Sequence, residues 1–199
     1  MQYLNISLSE FIEKYDKEGS IVLLEGKRNV LESDQALLVK LGKVLSEKTS
    51  HLKFRSGNAD GSDLFFSQGV ASVDNSRLQV ITPYSGHRQK YNQAYETIAL
   101  DELQLAAEDK VIYQTKTTKT GKLIDSYVNG NRDRFSIKAA YLIRDTVKAI
   151  GTKDIPTATF GIFYDDLENP LSGGTGHTMK VCQQNDIPII DQQTWMNWL

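Results

Sequence analysis

The sequence predicts an α/β domain of three layers, α/β/α, with a mainly parallel sheet in the middle. Three observations carry that expectation. Short, mostly apolar runs stand at residues 21–24, 78–81 and 187–190, the pattern of strands buried on both faces. Stretches with apolar residues at helical spacing lie between them. Two glycine-rich turns each follow one predicted strand and open one predicted helix. Strand–helix alternation through short loops is the sequence form of parallel strands joined by right-handed crossovers.

Element by element, Ser7-Leu-Ser-Glu10 has capping-box form and starts a short helix with Phe11, Ile12 and Tyr15 on one stripe, ended by Gly19. Ile21-Val-Leu-Leu24 is the first strand, stopped by Gly26. Ser33-Asp34 starts a helix that carries Leu37, Leu38, Leu41, Val44 and Leu45. Leu52-Lys-Phe54 is a short strand, followed by a turn-rich loop and a helix with Leu64, Phe65, Phe66 and Val70. Leu78-Gln-Val-Ile81 is the third strand, and Pro83 stops it.

The rhythm then breaks over residues 84–135. A helix is expected at 92–108, then a β-hairpin turning at Thr120-Gly121 between two runs rich in Thr, Val, Ile and Tyr. Ordinary βα connections need only a few residues, so this stretch reads as an insertion into a single domain spanning 1–199. Regular pattern resumes with Ala139, Leu142, Ile143, Val147 and Ile150 on one helical face, ended by Gly151. A strand at 157–164, a helix at 175–184, a closing strand at 187–190 and a terminal turn or helix with Trp195 and Trp198 complete the chain.

Composition excludes several classes. The chain has 199 residues, 40% hydrophobic and 24% charged, enough for one domain to bury about 70% of the surface its unfolded form exposes. Four prolines, fourteen glycines and one cysteine fit neither collagen-like, disordered nor disulfide-scaffold proteins. Net charge is −2, from 23 basic and 25 acidic residues, which argues against capture of nucleic acid by the whole surface. Cys182 is alone and cannot form an intrachain disulfide; its place on a helix suits packing. No run approaches the ~20 apolar residues of a membrane span, and Glu10 and Glu13 spoil a signal-peptide reading, so a cytoplasmic protein without membrane contact is expected.

Ser56-Gly-Asn-Ala-Asp-Gly-Ser-Asp63 and Ser172-Gly-Gly-Thr-Gly-His-Thr178 are the chemically informative segments. Glycine there permits positive φ and lets backbone N–H groups approach a ligand. The helix N-terminus behind each loop adds free donors and partial positive charge, a setting for phosphate. In one parallel sheet both loops meet at the C-terminal edge of the strands, where open α/β sheets bind ligands. Taken singly, each loop is as readily a tight turn. Neither has the spacing of a Walker phosphate loop, and Met179 occupies the third glycine position of a dinucleotide fingerprint.

Phe54-Arg-Ser-Gly-Asn-Ala-Asp-Gly-Ser-Asp63 resembles the "SGGAxGAD" loop of the SLOG superfamily, which includes DprA-type DNA-processing domains, LOG phosphoribohydrolases and YpsA-type proteins. Gly173-Gly-Thr-Gly-His-Thr178 is similar to that superfamily's second, "GGxGT"-like loop. Glu25-Gly-Lys-Arg28 stands where many members place a "GSR" turn, and Ile187-Pro-Ile matches the closing "IPV" strand. The resemblance covers about residues 20–83 and 136–191. It implies a Rossmann-like fold and a nucleotide or nucleotide-derived ligand. LOG members carry an acidic residue just after the second loop; Thr178-Met-Lys-Val-Cys-Gln183 has none, which argues against LOG-type hydrolysis. Asn58 replaces a loop glycine and suits a left-handed turn.

By position in this resemblance, Arg55, Ser56, Gly57, Asn58 and Gly61 shape the first loop, and Ser62 bonds phosphate. Asp60 binds a ribose hydroxyl or caps the next helix, and Asp63 is expected to cap it. Gly173, Gly174, Thr175 and Gly176 cradle phosphate, Thr178 adds a donor, and Lys27 and Arg28 supply countercharge. His177 is the acid/base candidate, with Asp165 and Asp166 next, although a loop histidine is more often an exposed hydrogen-bonder and an acidic loop is usually solvated. No cofactor is implied, and His51, His87 and His177 lack metal-ligand spacing.

The expected function is binding of a nucleotide-like small molecule. The alternatives are cleavage of a nucleotide's N-glycosidic or phosphoester bond, or DprA-like association with single-stranded DNA. The last would use Lys110, Lys116, Lys119, Lys122, Arg132 and Arg134 with Tyr113 and Tyr127, set against Asp125 and Asp133. The same segment could instead be an oligomerisation hairpin for a homo-oligomer, a lid on the ligand site, or a solvated hairpin. His87-Arg88, just after the third strand, is placed to meet an anionic substrate.

Overall fold

The computed structural model describes residues 4–117 and 119–199. Six strands, β1 (Ile21–Gly26), β2 (Lys53–Ser56), β3 (Leu78–Thr82), β4 (Glu96–Ala99), β5 (Phe160–Tyr164) and β6 (Ile189–Ile190), form one sheet in the order β4-β3-β2-β1-β5-β6. Every neighbouring pair is parallel, with Leu23 opposite Arg55, Ser56 opposite Val80 and Gly26 opposite Tyr164. This is the expected three-layer, Rossmann-like α/β architecture.

Alternation along the strands divides the apolar residues between two cores. Val22, Leu24, Phe54, Leu78, Phe160, Ile162 and Tyr164 face one side. There they meet α1 (Leu8–Tyr15), α2 (Glu32–Lys48), α3 (Ser62–Asp74) and α8 (Gln192–Trp195). Leu23, Ile81, Phe163 and Ile189 face the other. They meet α4 (Asp109–Thr115), α5 (Gly121–Val128), α6 (Ile137–Ile150) and α7 (Gly173–Gln184). The capping box at Ser7 forms as expected, with Ser7 and Glu10 bonding each other's backbone N–H. Trp195 is fully buried and donates to the Phe163 carbonyl at 2.9 Å. Among the described residues no helix is long and apolar enough to cross a membrane.

Residues 84–135 differ from the expected helix and β-hairpin. In place of a helix at 92–108 stand the edge strand β4 and two 3-10 turns, Leu100–Glu102 and Leu105–Ala107. The edge strand adds backbone pairing to β3, and Leu100 and Leu105 are buried in the core on the α4–α7 side of the sheet. In place of the hairpin stand α4 and α5. Val111 and Thr115 are four apart and Ile124 and Tyr127 three apart, so each pair shares one helical face and is buried. Thr117 and Thr120 each donate a backbone N–H to the other's hydroxyl oxygen, at 2.9 and 3.3 Å, and turn the chain into α5. Thr118, in the expected first strand run, lies outside the described residues. Packing on α6 has overridden the β-propensity of the Thr-, Val- and Tyr-rich run.

A cavity at the crossover between β1 and β5

The chain builds β1 to β4 outward on one side, then returns to place β5 on the other side of β1. That reversal opens a crevice at the C-terminal edge between β1 and β5, the place where open α/β sheets bind ligands. A cavity of about 600 Å³ lies there, within the range of small-molecule sites. Glu25 to Arg28 line it from the end of β1, Asp165 and Asp166 from the end of β5, and Ser172 to Thr175 from the start of α7.

The first glycine loop is held by bonds within itself and by bonds to distant parts of the chain. Asp63 does not cap α3 as expected: it lies inside that helix, whose N-cap is Gly61, and its carboxylate instead accepts the loop N–H groups of Gly57 at 3.0 Å and Ala59 at 3.3 Å. Asn58 has φ +53° and donates to the His87 carbonyl at 3.1 Å. Gly61 has φ +75°, and a Cβ there would lie 2.0 Å from the Arg28 carbonyl oxygen. Ser62 donates to the Lys27 carbonyl at 2.7 Å, tying the loop to the end of β1. Asp60 pairs with Arg88 at 2.5 Å. Gly57 sits against Asp63, Lys148 and Arg144, where a side chain would collide.

The second loop presents a bare helix N-terminus. Gly176 is the first residue of α7 whose N–H finds a backbone acceptor, Ser172 at 2.9 Å. Among the described residues the amides of Gly173, Gly174 and Thr175 have no protein acceptor. A Cβ on Gly176 would overlap Leu171, whose N–H is held by the buried Asp165 carboxylate at 3.1 Å. Thr178 is buried and donates back to the Gly174 carbonyl at 3.2 Å, inside the helix.

The floor of the cavity is a buried charge cluster that the apolar pattern of α6 hid. Lys148 bridges two carboxylates, Glu25 from β1 and Asp145 one turn back on α6, the latter at 2.9 Å. Arg144 also pairs with Asp145, at 2.7 Å, and donates to the Gly57 carbonyl at 3.2 Å. All four side chains are buried and all four line the cavity. Burial pushes the Glu25 carboxyl up to about 7, against the pull of Lys148. Burial also opposes the charge on Asp145, but Arg144 and Lys148 together outweigh it and hold that carboxyl below its ordinary value. The sequence signals are a basic–acidic–basic set, Arg144, Asp145 and Lys148, within about one turn of α6, and Glu25 in an otherwise apolar strand.

Of the residues expected to act, Lys27, Arg28, Asp165, Asp166, Gly173, Gly174 and Thr175 line the cavity. Lys27 is 3.7 Å from Asp166, and Arg28 is exposed at the rim. Ser56 and Arg55 lie outside its lining. Arg55 is fully buried on the α6 side of the sheet and donates to the carbonyls of Lys148 and Pro156, each at 2.9 Å. The Ser56 hydroxyl is buried without a hydrogen-bond partner among the described residues. His177 is likewise outside the cavity lining; its Nε2 is 2.9 Å from Thr146 Oγ1, on the face of α7 that packs on α6, and burial lowers its pKa. Among the described residues no three His, Cys, Asp or Glu side chains are grouped to hold a metal ion.

No protein-family model matches the sequence, and a search of curated proteins found no match. Among solved structures the chain is similar to DNA processing protein A from Helicobacter pylori, described for its single-stranded DNA binding mode. The two share 14% sequence identity at a TM-score of 0.50, over 94% of this chain and 69% of that one. The likeness places the protein among Rossmann-like α/β folds related in shape to DNA processing protein A.

Proposed function

We propose that this protein is a SLOG-type domain that binds a phosphorylated, nucleotide-like small molecule in the cavity between β1 and β5. The observation that carries the reading is the start of α7. Three backbone amides without protein acceptors face a cavity whose rim carries Lys27 and Arg28. A helix N-terminus with free amides and flanking cations stabilises a phosphate by hydrogen bonds and by the helix dipole together. Glycines at 173 and 174 leave the approach free of side chains.

The test is thermal stabilisation by AMP or ADP-ribose. At a ligand concentration of about 100 Kd the folded state gains about 2.7 kcal/mol, a shift of several degrees. Arg28→Ala should weaken the effect. Gly174→Asp should remove it, because the new carboxylate would lie among the free amides, beside Asp145. Absence of stabilisation by both compounds would refute the reading.

A second reading, association with single-stranded DNA, draws support from the fold shared with DNA processing protein A. Exposed Tyr91, Tyr95, Tyr113 and Phe135 on and beside residues 84–135 supply the aromatic surfaces such binding uses, and Arg88 lies 4.9 Å from the Tyr91 ring. Lys116, by contrast, is engaged with Asp125 at 2.5 Å.

A further inference from the structure

The cavity has two chemically different sides. One is the phosphate side at the start of α7. On the other, Leu123 from α5 with Tyr141 and Leu142 from α6 form an apolar wall. We propose that this wall seats an aromatic ring, the nucleobase of a ligand whose phosphate lies on the start of α7. The inference rests on the phosphate reading and adds what else the ligand must carry.

Tyr141 is held in place before any ligand arrives. The His87 ring meets it nearly edge-on, with centroids 5.8 Å apart and an interplanar angle of 80°. His87 in turn packs edge-on against Tyr84 at 5.0 Å. The Arg144 guanidinium lies 5.5 Å from the Tyr141 centroid. A ring fixed in this way loses little freedom when another ring stacks on it.

The rest of the lining decides between an aromatic ring and an aliphatic chain. Ten charged side chains line the same cavity, so Leu123, Tyr141 and Leu142 form an apolar patch bordered by charge. A fatty chain would run into charges within a few carbons. A planar base covers such a patch, stacks on the tyrosine and keeps its polar edge toward the charged floor. Residues 84–135 thereby complete the site as a wall, since they supply Leu123 and the Tyr84–His87 pair that braces Tyr141.

Calorimetric titration of the full chain with AMP, ribose 5-phosphate and inorganic phosphate tests this. The wild type should bind AMP about tenfold or more tightly than ribose 5-phosphate, the affinity one stacked base supplies. Tyr141→Ala should erase that ratio while leaving ribose 5-phosphate binding in place, and Tyr141→Phe should keep most of it. Leu123→Ala, at a half-buried position, should narrow the ratio and serves as the second variant if Tyr141→Ala does not fold. Equal affinity of the wild type for AMP and ribose 5-phosphate would overturn the inference and leave the phosphate reading standing. So would an equal loss of both ligands in Tyr141→Ala with melting temperature preserved. Failure of all three compounds to bind would remove both.

Discussion

Glu25 stands at the end of a strand whose other residues are apolar, and only 3% of it is exposed. Lys148 is the cation against it, while Asp145 and Asp63 add repulsion, so burial dominates and lifts its pKa to about 7. The unfolded chain releases that proton near 4.5. Between those values the folded protein holds a proton that the unfolded chain has lost, so stability is fully present below 4.5, falls as pH rises toward 7, and levels off above. His87 acts in the opposite sense. Burial, with Arg144, Arg88 and Arg28 nearby, pushes it down to about 4, so its contribution is lost as pH falls from 6.5 toward 4. A comparison of wild type with Glu25→Gln isolates the first effect, because His87 is common to both. From about pH 5 to about pH 8 the unfolding free energy of the wild type should decline relative to the variant, by on the order of 2 kcal/mol. Urea titrations across that range measure it; a difference that stays flat would mean Glu25 is ionised throughout.

At the scale of elements, α2 and α3 approach each other backbone to backbone. A Cβ added to Gly69 would lie 2.1 Å from the Val39 carbonyl oxygen, and one on Gly42 2.4 Å from that of Phe66. Gly69→Ala improves helix propensity by about 1 kcal/mol, yet it must push the two helices apart. The net effect should be destabilising by about 1–3 kcal/mol in chemical denaturation, the range for overpacking. A stabilised variant would show that the helices separate freely. This contact illustrates what the sequence does and does not disclose. Strands such as Ile21–Gly26 and Leu78–Thr82 are legible because burial on both faces demands apolar side chains along the run. The helices at 109–115 and 121–128 are hidden, because Val111, Thr115, Ile124 and Tyr127 favour helix only once α6 is there to cover them. The two glycine loops are visible as loops. The partners that occupy Ser62 and Asp60 are not, since Lys27 and Arg88 come from distant parts of the chain. The charge cluster escapes a reading that follows only apolar periodicity, since Arg144, Asp145 and Lys148 are buried by the cavity and not by the helix stripe.

Across the whole molecule, charge is balanced and much of it is internally committed. Net charge is −2, and the ten charged groups around the cavity are five acids and five bases. Lys27, Arg88, Lys116, Arg144 and Lys148 each have a carboxylate within 4 Å. A surface built this way attracts polyanions weakly, whereas a phosphate in the crevice is bound by short-range hydrogen bonds to amides. The two readings of function therefore differ in their response to salt. Affinity for a single strand held through about 6–10 phosphate contacts falls by on the order of 10²–10⁴ between 50 and 200 mM salt, because each contact releases counterions. A mononucleotide in the cavity carries one phosphate and should lose only a few-fold over the same range. Parallel titrations with AMP and with a single-stranded oligonucleotide at the two salt concentrations separate the cases. Shallow salt dependence for AMP, with the oligonucleotide bound weakly or only at low salt, is the expected outcome. Tight oligonucleotide binding with a steep salt slope, and no AMP binding at either concentration, would assign the function to the surface of residues 84–135 instead of the cavity.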